Sequence, residues 1–201
     1  MSFPGEYFIS SQLGSAGFDG GGLVIDITGA KNDPGTPLQV WSGKFFGGST
    51  PPTSEQEAAA ANQIWSFVPV GSSFFIQSKL NSDLVIDVTG AKDEPGTPLQ
   101  VWSKKPTSTS EEIENARNQL WTLIQIRYPQ PPGGISLIEP GYLIQSALNS
   151  DLVIDVKGAV DDPGTPLQVW SKKPTGTVEE LDDAKNQLWQ PGAAVWIAPP
   201  K

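Results

Sequence analysis

The chain has no cysteine and no histidine in 201 residues. Their absence removes disulfide staples, thiol nucleophiles, thiolate or imidazole zinc sites, and any triad that uses imidazole as its base. Positive charge is scarce as well: 13 Lys and Arg stand against 22 Asp and Glu, a net charge of −9. That balance argues against nucleic acid as a partner, because phosphate binding needs clustered Lys and Arg to release counterions. It argues equally against docking on anionic membranes. No apolar run is long enough for membrane insertion, and the opening Met-Ser-Phe-Pro-Gly-Glu lacks the basic and apolar regions of a signal peptide. A cytoplasmic protein is expected, released if at all by a non-classical route.

What the sequence does have is a repeat. Residues 80–107 read LNSDLVIDVTGAKDEPGTPLQVWSKKPT and residues 148–175 read LNSDLVIDVKGAVDDPGTPLQVWSKKPT, with three of 28 positions different. Residues 23–42, LVIDITGAKNDPGTPLQVWS, differ from residues 84–103 at three of 20. Each copy closes with Asn-Gln-x-Trp, at Asn62 to Trp65, Asn118 to Trp121 and Asn186 to Trp189. The repeats span roughly residues 1–70, 71–135 and 136–201.

Each copy reads as four short strands. In the second these are Phe74–Gln77, Leu84–Val88, Leu99–Trp102 and Gln119–Ile124. Ile86 and Val88 alternate with Asp87, the period of a half-buried strand, and Gln100 and Trp102 share one face while Val101 takes the other. Gly-Ala-Lys-Asp-Glu-Pro-Gly-Thr between the middle strands is a turn, since Gly, Asp and Pro supply or fix unusual φ values. One such unit cannot bury its own apolar face, whereas three closing around an axis can. The expected fold is all-β: one β-trefoil domain over residues 1–201. A linear solenoid would need distinct capping repeats, which three near-identical copies do not offer.

An acidic insert interrupts each copy before the closing Asn-Gln-x-Trp. Thr109 with Glu112, and Thr177 with Glu180, have capping-box spacing, and acids early with a base late suit the helix dipole. One or two helical turns are expected there. The first copy has Ser54-Glu55-Gln56-Glu57 followed by Ala58 to Ala61, helical by propensity. The Pro- and Gly-rich stretch from Tyr128 to Gly141 reads as a long connection.

With these elements assembled, the sequence resembles the ricin-type (ricin B-like) β-trefoil lectins, which also occur as carbohydrate-binding modules on glycosidases. Three Gln-x-Trp closures (Gln63/Trp65, Gln119/Trp121, Gln187/Trp189), each preceded by Ile-Asp-Val/Ile and Leu-Gln-Val-Trp, carry the resemblance over nearly the whole chain. It implies a sugar pocket per repeat, built from an Asp, a Gln and an aromatic, and an Asn-Gln pair. The matching residues are Asp26, Gln39, Trp41, Asn62 and Gln63 in the first copy. In the second they are Asp87, Gln100, Trp102, Asn118 and Gln119, and in the third Asp155, Gln168, Trp170, Asn186 and Gln187. It implies glycans or glycoconjugates as partners, with galactose or N-acetylgalactosamine as the default sugar.

The chemistry is sound without the family. The weakly positive C–H face of a pyranose suits the negative face of an indole. A carboxylate gives stronger hydrogen bonds to hydroxyls than a neutral acceptor does, and an Asn amide both donates and accepts. The same residues also have structural readings. Trp65, Trp121 and Trp189 are expected in the core, and the Asp residues could instead tie off the following turn. Asn and Gln could brace any trefoil. Adjacent acids such as Asp93-Glu94 and Asp161-Asp162 lack the alternating spacing of a cation loop, so no metal or cofactor is expected. Lys104-Lys105 and Lys172-Lys173 read as surface charge standing close to the pocket.

The main departure from the family pattern is the distance from the platform Trp to the Asn: 21 positions in the first copy, 16 in the others. The helical insert could extend the pocket or cover it. Three sites on one body would gain avidity for clustered glycans, and a homodimer would make cross-linking easier. The competing reading is a β-trefoil protease inhibitor or protein-interaction module, since fold alone does not fix function. An enzyme is not expected, because a glycosidase needs two carboxylates at a defined separation and each pocket offers one.

Overall fold

The computed structural model of the chain describes residues 5–14, 22–44, 53–127 and 141–194. The expected connection over residues 128–140 lies outside these described residues. Each repeat contributes four strands. These are β1 (Tyr7–Ser11), β2 (Leu23–Ile27), β3 (Leu38–Ser42) and β4 (Trp65–Val70) in the first. The second has β5 (Ser73–Ser78), β6 (Leu84–Val88), β7 (Leu99–Ser103) and β8 (Leu120–Ile126). The third has β9 (Gly141–Ser146), β10 (Leu152–Val156), β11 (Leu167–Ser171) and β12 (Trp189–Ala193).

The first and last strands of the repeats pair in a closed ring. β1 pairs with β4, β4 with β5, β5 with β8, β8 with β9, β9 with β12, and β12 returns to β1. A closed ring has no free edge, so short strands suffice. The middle strands form three hairpins, β2–β3, β6–β7 and β10–β11, hung from the ring. Isolated bridges Pro37–Gln100, Pro98–Gln168 and Gln39–Pro166 then join each hairpin to the next in a triangle. This is the β-trefoil.

Alternation puts Ile25, Val40 and their equivalents Ile86, Val101, Ile154 and Val169 into one central cluster with Trp65, Trp121 and Trp189. Each of these tryptophans donates its indole N–H to a second-strand carbonyl, of Ile25, Ile86 or Ile154, at 3.1–3.2 Å. A buried indole N–H needs such a partner, so the Gln-x-Trp tryptophans both fill the core and fix the hairpin to the ring. The expected core role holds for all three.

The inserts are helical. α1 (Ser54–Ala59), α2 (Ser110–Asn115) and α3 (Val178–Asp183) each begin at a Thr in a complete capping box, with Gln56, Glu112 and Glu180 closing it. The Thr53–Gln56 box was not foreseen in the sequence. A 3₁₀ turn then carries Asn62-Gln63, Asn118-Gln119 or Asn186-Gln187 into the last strand. Gln119, expected to begin a strand, belongs to that turn instead.

Candidate functional site

Register assembles most of the site. Asp26 lies directly across the hairpin from Gln39, and Val24 from Trp41. Asp87–Gln100 with Val85–Trp102, and Asp155–Gln168 with Val153–Trp170, repeat the pattern. The constant spacing of 13 between Asp and Gln is thus the spacing of a hairpin pair. These four residues share the outer face, because their neighbours Ile25 and Val40 face the core.

The insert then folds over part of that face. Ala60 and Ile64 pack on Val24 and Phe8, Ala116 and Leu120 on Val85 and Phe75, and Leu181 and Leu188 on Val153 and Leu143. It covers the valine entirely and all but the rim of the carboxylate, and leaves the tryptophan open. Asp26, Asp87 and Asp155 are buried, whereas Trp41, Trp102 and Trp170 are 43%, 43% and 42% exposed.

Every carboxylate is held by three side-chain amides. Asp87 Oδ1 accepts from Gln100 Nε2 at 2.9 Å, while Oδ2 accepts from Asn118 Nδ2 at 2.7 Å and Gln119 Nε2 at 3.0 Å. The first and third copies repeat this with Gln39, Asn62 and Gln63 on Asp26, and Gln168, Asn186 and Gln187 on Asp155. No bond from the following Gly-Ala turn reaches these carboxylates among the described residues, so the turn-closing reading of Asp is not what the fold uses.

The glutamines before the signature Trp lie deepest in the cluster. Gln63, Gln119 and Gln187 are fully buried, and each gives its second amide proton to the carbonyl of Ser42, Ser103 or Ser171. Their Oε1 atoms accept from the backbone N–H of Lys44, Lys105 or Lys173. With both protons used and no exposed surface, they brace the carboxylate. Gln39 and Gln100 are half-buried and Gln168 is buried at 7%. Among the described residues, their Oε1 atoms accept no hydrogen bond.

One group was missed as a site member. Lys44, Lys105 and Lys173 donate from Nζ to Asn62, Asn118 and Asn186 Oδ1 at 2.7 Å. The same ammonium caps the insert at the carbonyl of Ala59, Asn115 or Asp183. Each lysine follows its platform Trp by three positions in every copy, a regularity that marks it. Lys104 and Lys172 are exposed, and among the described residues their side chains make no such bond.

Burial pushes the carboxyls of Asp26, Asp87 and Asp155 above the usual carboxylate value of 3.8, against the opposing pull of the three amides and the nearby lysine. Raised folded values mean that these groups contribute stability fully below pH 3.8, and lose it as pH rises through the folded pKa. Carbon-detected NMR titration of the three carboxyls is expected to give midpoints above 3.8; midpoints below it would mean that the amides outweigh desolvation.

A designed threefold-symmetric protein, ThreeFoil, superposes with a TM-score of 0.60 at 19% identity, covering 96% of this chain and 99% of that one. A Macrolepiota procera ricin B-like lectin in complex with lactose gives 0.58 at 17%, covering 96% and 98%. The chain has the fold of the ricin B-like lectins. It also matches part of an exo-β-1,3-galactanase from Clostridium thermocellum, with a TM-score of 0.62 at 18% identity, over 96% of this chain and 31% of that larger one. No family model matches the sequence, and no curated protein matches it.

Proposed function

We propose that the chain is a multivalent carbohydrate-binding protein that recognises galactose-type hexoses at up to three equivalent pockets. The observation that carries this is the threefold recurrence of a half-exposed indole beside a braced Asp–Gln–Asn–Lys set. Large exposed aromatics on a rigid strand are costly unless they meet something, and a sugar C–H face is apolar enough to cover one. The polar set has open valences of both kinds. Asp87 Oδ1 takes one donor, Gln100 Oε1 takes none among the described residues, and Lys105 Nζ uses two of its three protons. Vicinal hydroxyls, each a donor and an acceptor, satisfy such a mixture.

In this reading Trp41, Trp102 and Trp170 are platforms. Asp26, Asp87 and Asp155, with Gln39, Gln100 and Gln168, accept from sugar hydroxyls, and Asn62, Asn118 and Asn186 sit behind them. The lactose complex of the Macrolepiota lectin and the galactanase match both favour a galactoside. Binding without hydrolysis is the better fit, because each polar set contains a single carboxylate.

Titrating lactose while following tryptophan emission tests the sugar. Emission is expected to shift to shorter wavelength and saturate in the wild type, and to stay flat in Trp41→Ala/Trp102→Ala/Trp170→Ala. A flat wild-type titration would remove galactosides from the reading.

A further inference from the structure

The hairpin triangle places part of one repeat against the platform of another. The Pro37–Gln100 bridge sets Gly35, in the turn of the first repeat, opposite Trp102 of the second. Gly35 N–H donates to Val101 O at 2.8 Å, and Val101 N–H to Thr36 O at 2.9 Å. The second turn lies likewise on the third repeat, through Gly96 to Val169 O, and the third turn on the first, through Gly164 to Val40 O, each at 2.8 Å. A methyl group on Gly35, Gly96 or Gly164 would lie 3.4, 3.3 or 3.5 Å from Cζ3 of Trp102, Trp170 or Trp41. Their φ values of +90°, +90° and +95° suit the Pro-Gly turn, closed by Thr36, Thr97 or Thr165 N–H on the carbonyl three residues before. In the third pocket a side-chain bond crosses too: Asn149 Nδ2 donates to Asp93 Oδ1 at 2.6 Å.

We infer that each sugar pocket is shared between two repeats, and that the turn of the neighbouring repeat sets its preference for ligand charge; this rests on the carbohydrate-binding reading above. The pockets are then equivalent in their own side chains and differ only in the turn that borders them. Trp102 is bordered by Lys31-Asn32-Asp33, which carries no net charge, whereas Trp170 is bordered by Lys92-Asp93-Glu94 and Trp41 by Val160-Asp161-Asp162. Asn32, Asp33, Asp93, Glu94, Asp161 and Asp162 are all exposed, and each stands two or three positions before the glycine that touches the platform. The turns beside Trp170 and Trp41 favour a hexose bearing an ammonium group and disfavour an anionic one. The turn beside Trp102 is indifferent. Sequence similarity within a repeat hides this, because the determinant belongs to a different repeat from the platform it serves.

The test follows individual indole N–H signals by ¹H–¹⁵N NMR while galactose and then galactosamine are titrated into wild type and Asp93→Asn/Glu94→Gln. Removing two carboxylate charges beside an ammonium group in a watery setting is worth about a three- to fivefold change in affinity. Galactosamine affinity at Trp170 is expected to fall by that factor in the variant. Trp102, in the same repeat as the substitutions, should keep its wild-type affinity, and galactose should be unaffected at both. A change at Trp102 with none at Trp170 would overturn the shared pocket, as would galactosamine binding unchanged at both. If no indole responds to either sugar in the wild type, the carbohydrate-binding reading itself falls, and this inference with it.

Discussion

Replacing two of the three platform tryptophans with alanine is expected to abolish cross-linking of galactosylated cells or beads while leaving one pocket with wild-type affinity. Each platform is an exposed indole on a strand whose partner and core contacts come from other residues. Its removal therefore costs the pocket far more than the fold. A buried aromatic anchor in a recognition site is worth on the order of 2 kcal/mol, about thirtyfold in affinity. Avidity multiplies the effect, because linked sites gain roughly 10²–10⁴ over a single one. Trp102→Ala alone should lower binding to a dense galactoside surface by at least tenfold, and Trp102→Ala/Trp170→Ala should reduce it to the monovalent level. Surface plasmon resonance at high and low ligand density separates the two terms. Loss of affinity at high density that is no greater than at low density would show that the pockets do not act together.

The second large effect is on stability. Asp87→Ala is expected to destabilise the protein by about 2–4 kcal/mol, because it orphans the buried amide donors of Asn118 and Gln119 at about 1–3 kcal/mol each. Relief of the carboxylate's own desolvation offsets part of that. A chain of this size then melts about 5–15 °C lower. Asp87→Asn should behave differently. Its Oδ1 can replace the acceptor facing Asn118 and Gln119, and Gln100 can turn its unpaired Oε1 toward the new amide. It is expected to melt within a few degrees of wild type while losing the charged acceptor for sugar hydroxyls. The alanine variant thus reports on the brace and the asparagine variant on recognition. Equal melting of Asp87→Ala and wild type would mean that the amide cluster holds itself together without the carboxylate.

Most of the fold was legible in the sequence because the signal was repeated. Period-two alternation in Leu-Val-Ile-Asp-Val and Leu-Gln-Val-Trp assigned the core and outer faces. Threefold recurrence made closure the economical solution. The capping boxes at Thr109 and Thr177 were equally readable, since that motif is local.

What escaped the sequence depends on packing between distant segments. Whether the insert would cover the pocket turned on where Ala116 and Leu120 find apolar partners, and they find Val85 and Phe75 beneath them. Gln119 could not be divided between ligand and brace until all its hydrogen bonds were counted. Lys105 looked like surface charge beside Lys104, yet only Lys105 reaches the amide cluster. The neighbouring turn was invisible for the same reason: Gly35 and Trp102 are far apart in sequence and meet only when the triangle of hairpins closes.

The central claim is that three open indoles make this trefoil a glycan binder. Its most direct test is a glycan array probed with the wild type beside Trp41→Ala/Trp102→Ala/Trp170→Ala, both verified as folded by thermal melting. The account predicts wild-type binding to a defined class of glycans, with terminal galactosides foremost, and a silent triple variant. A silent array from folded wild type, or binding that survives the loss of all three platforms, would contradict it.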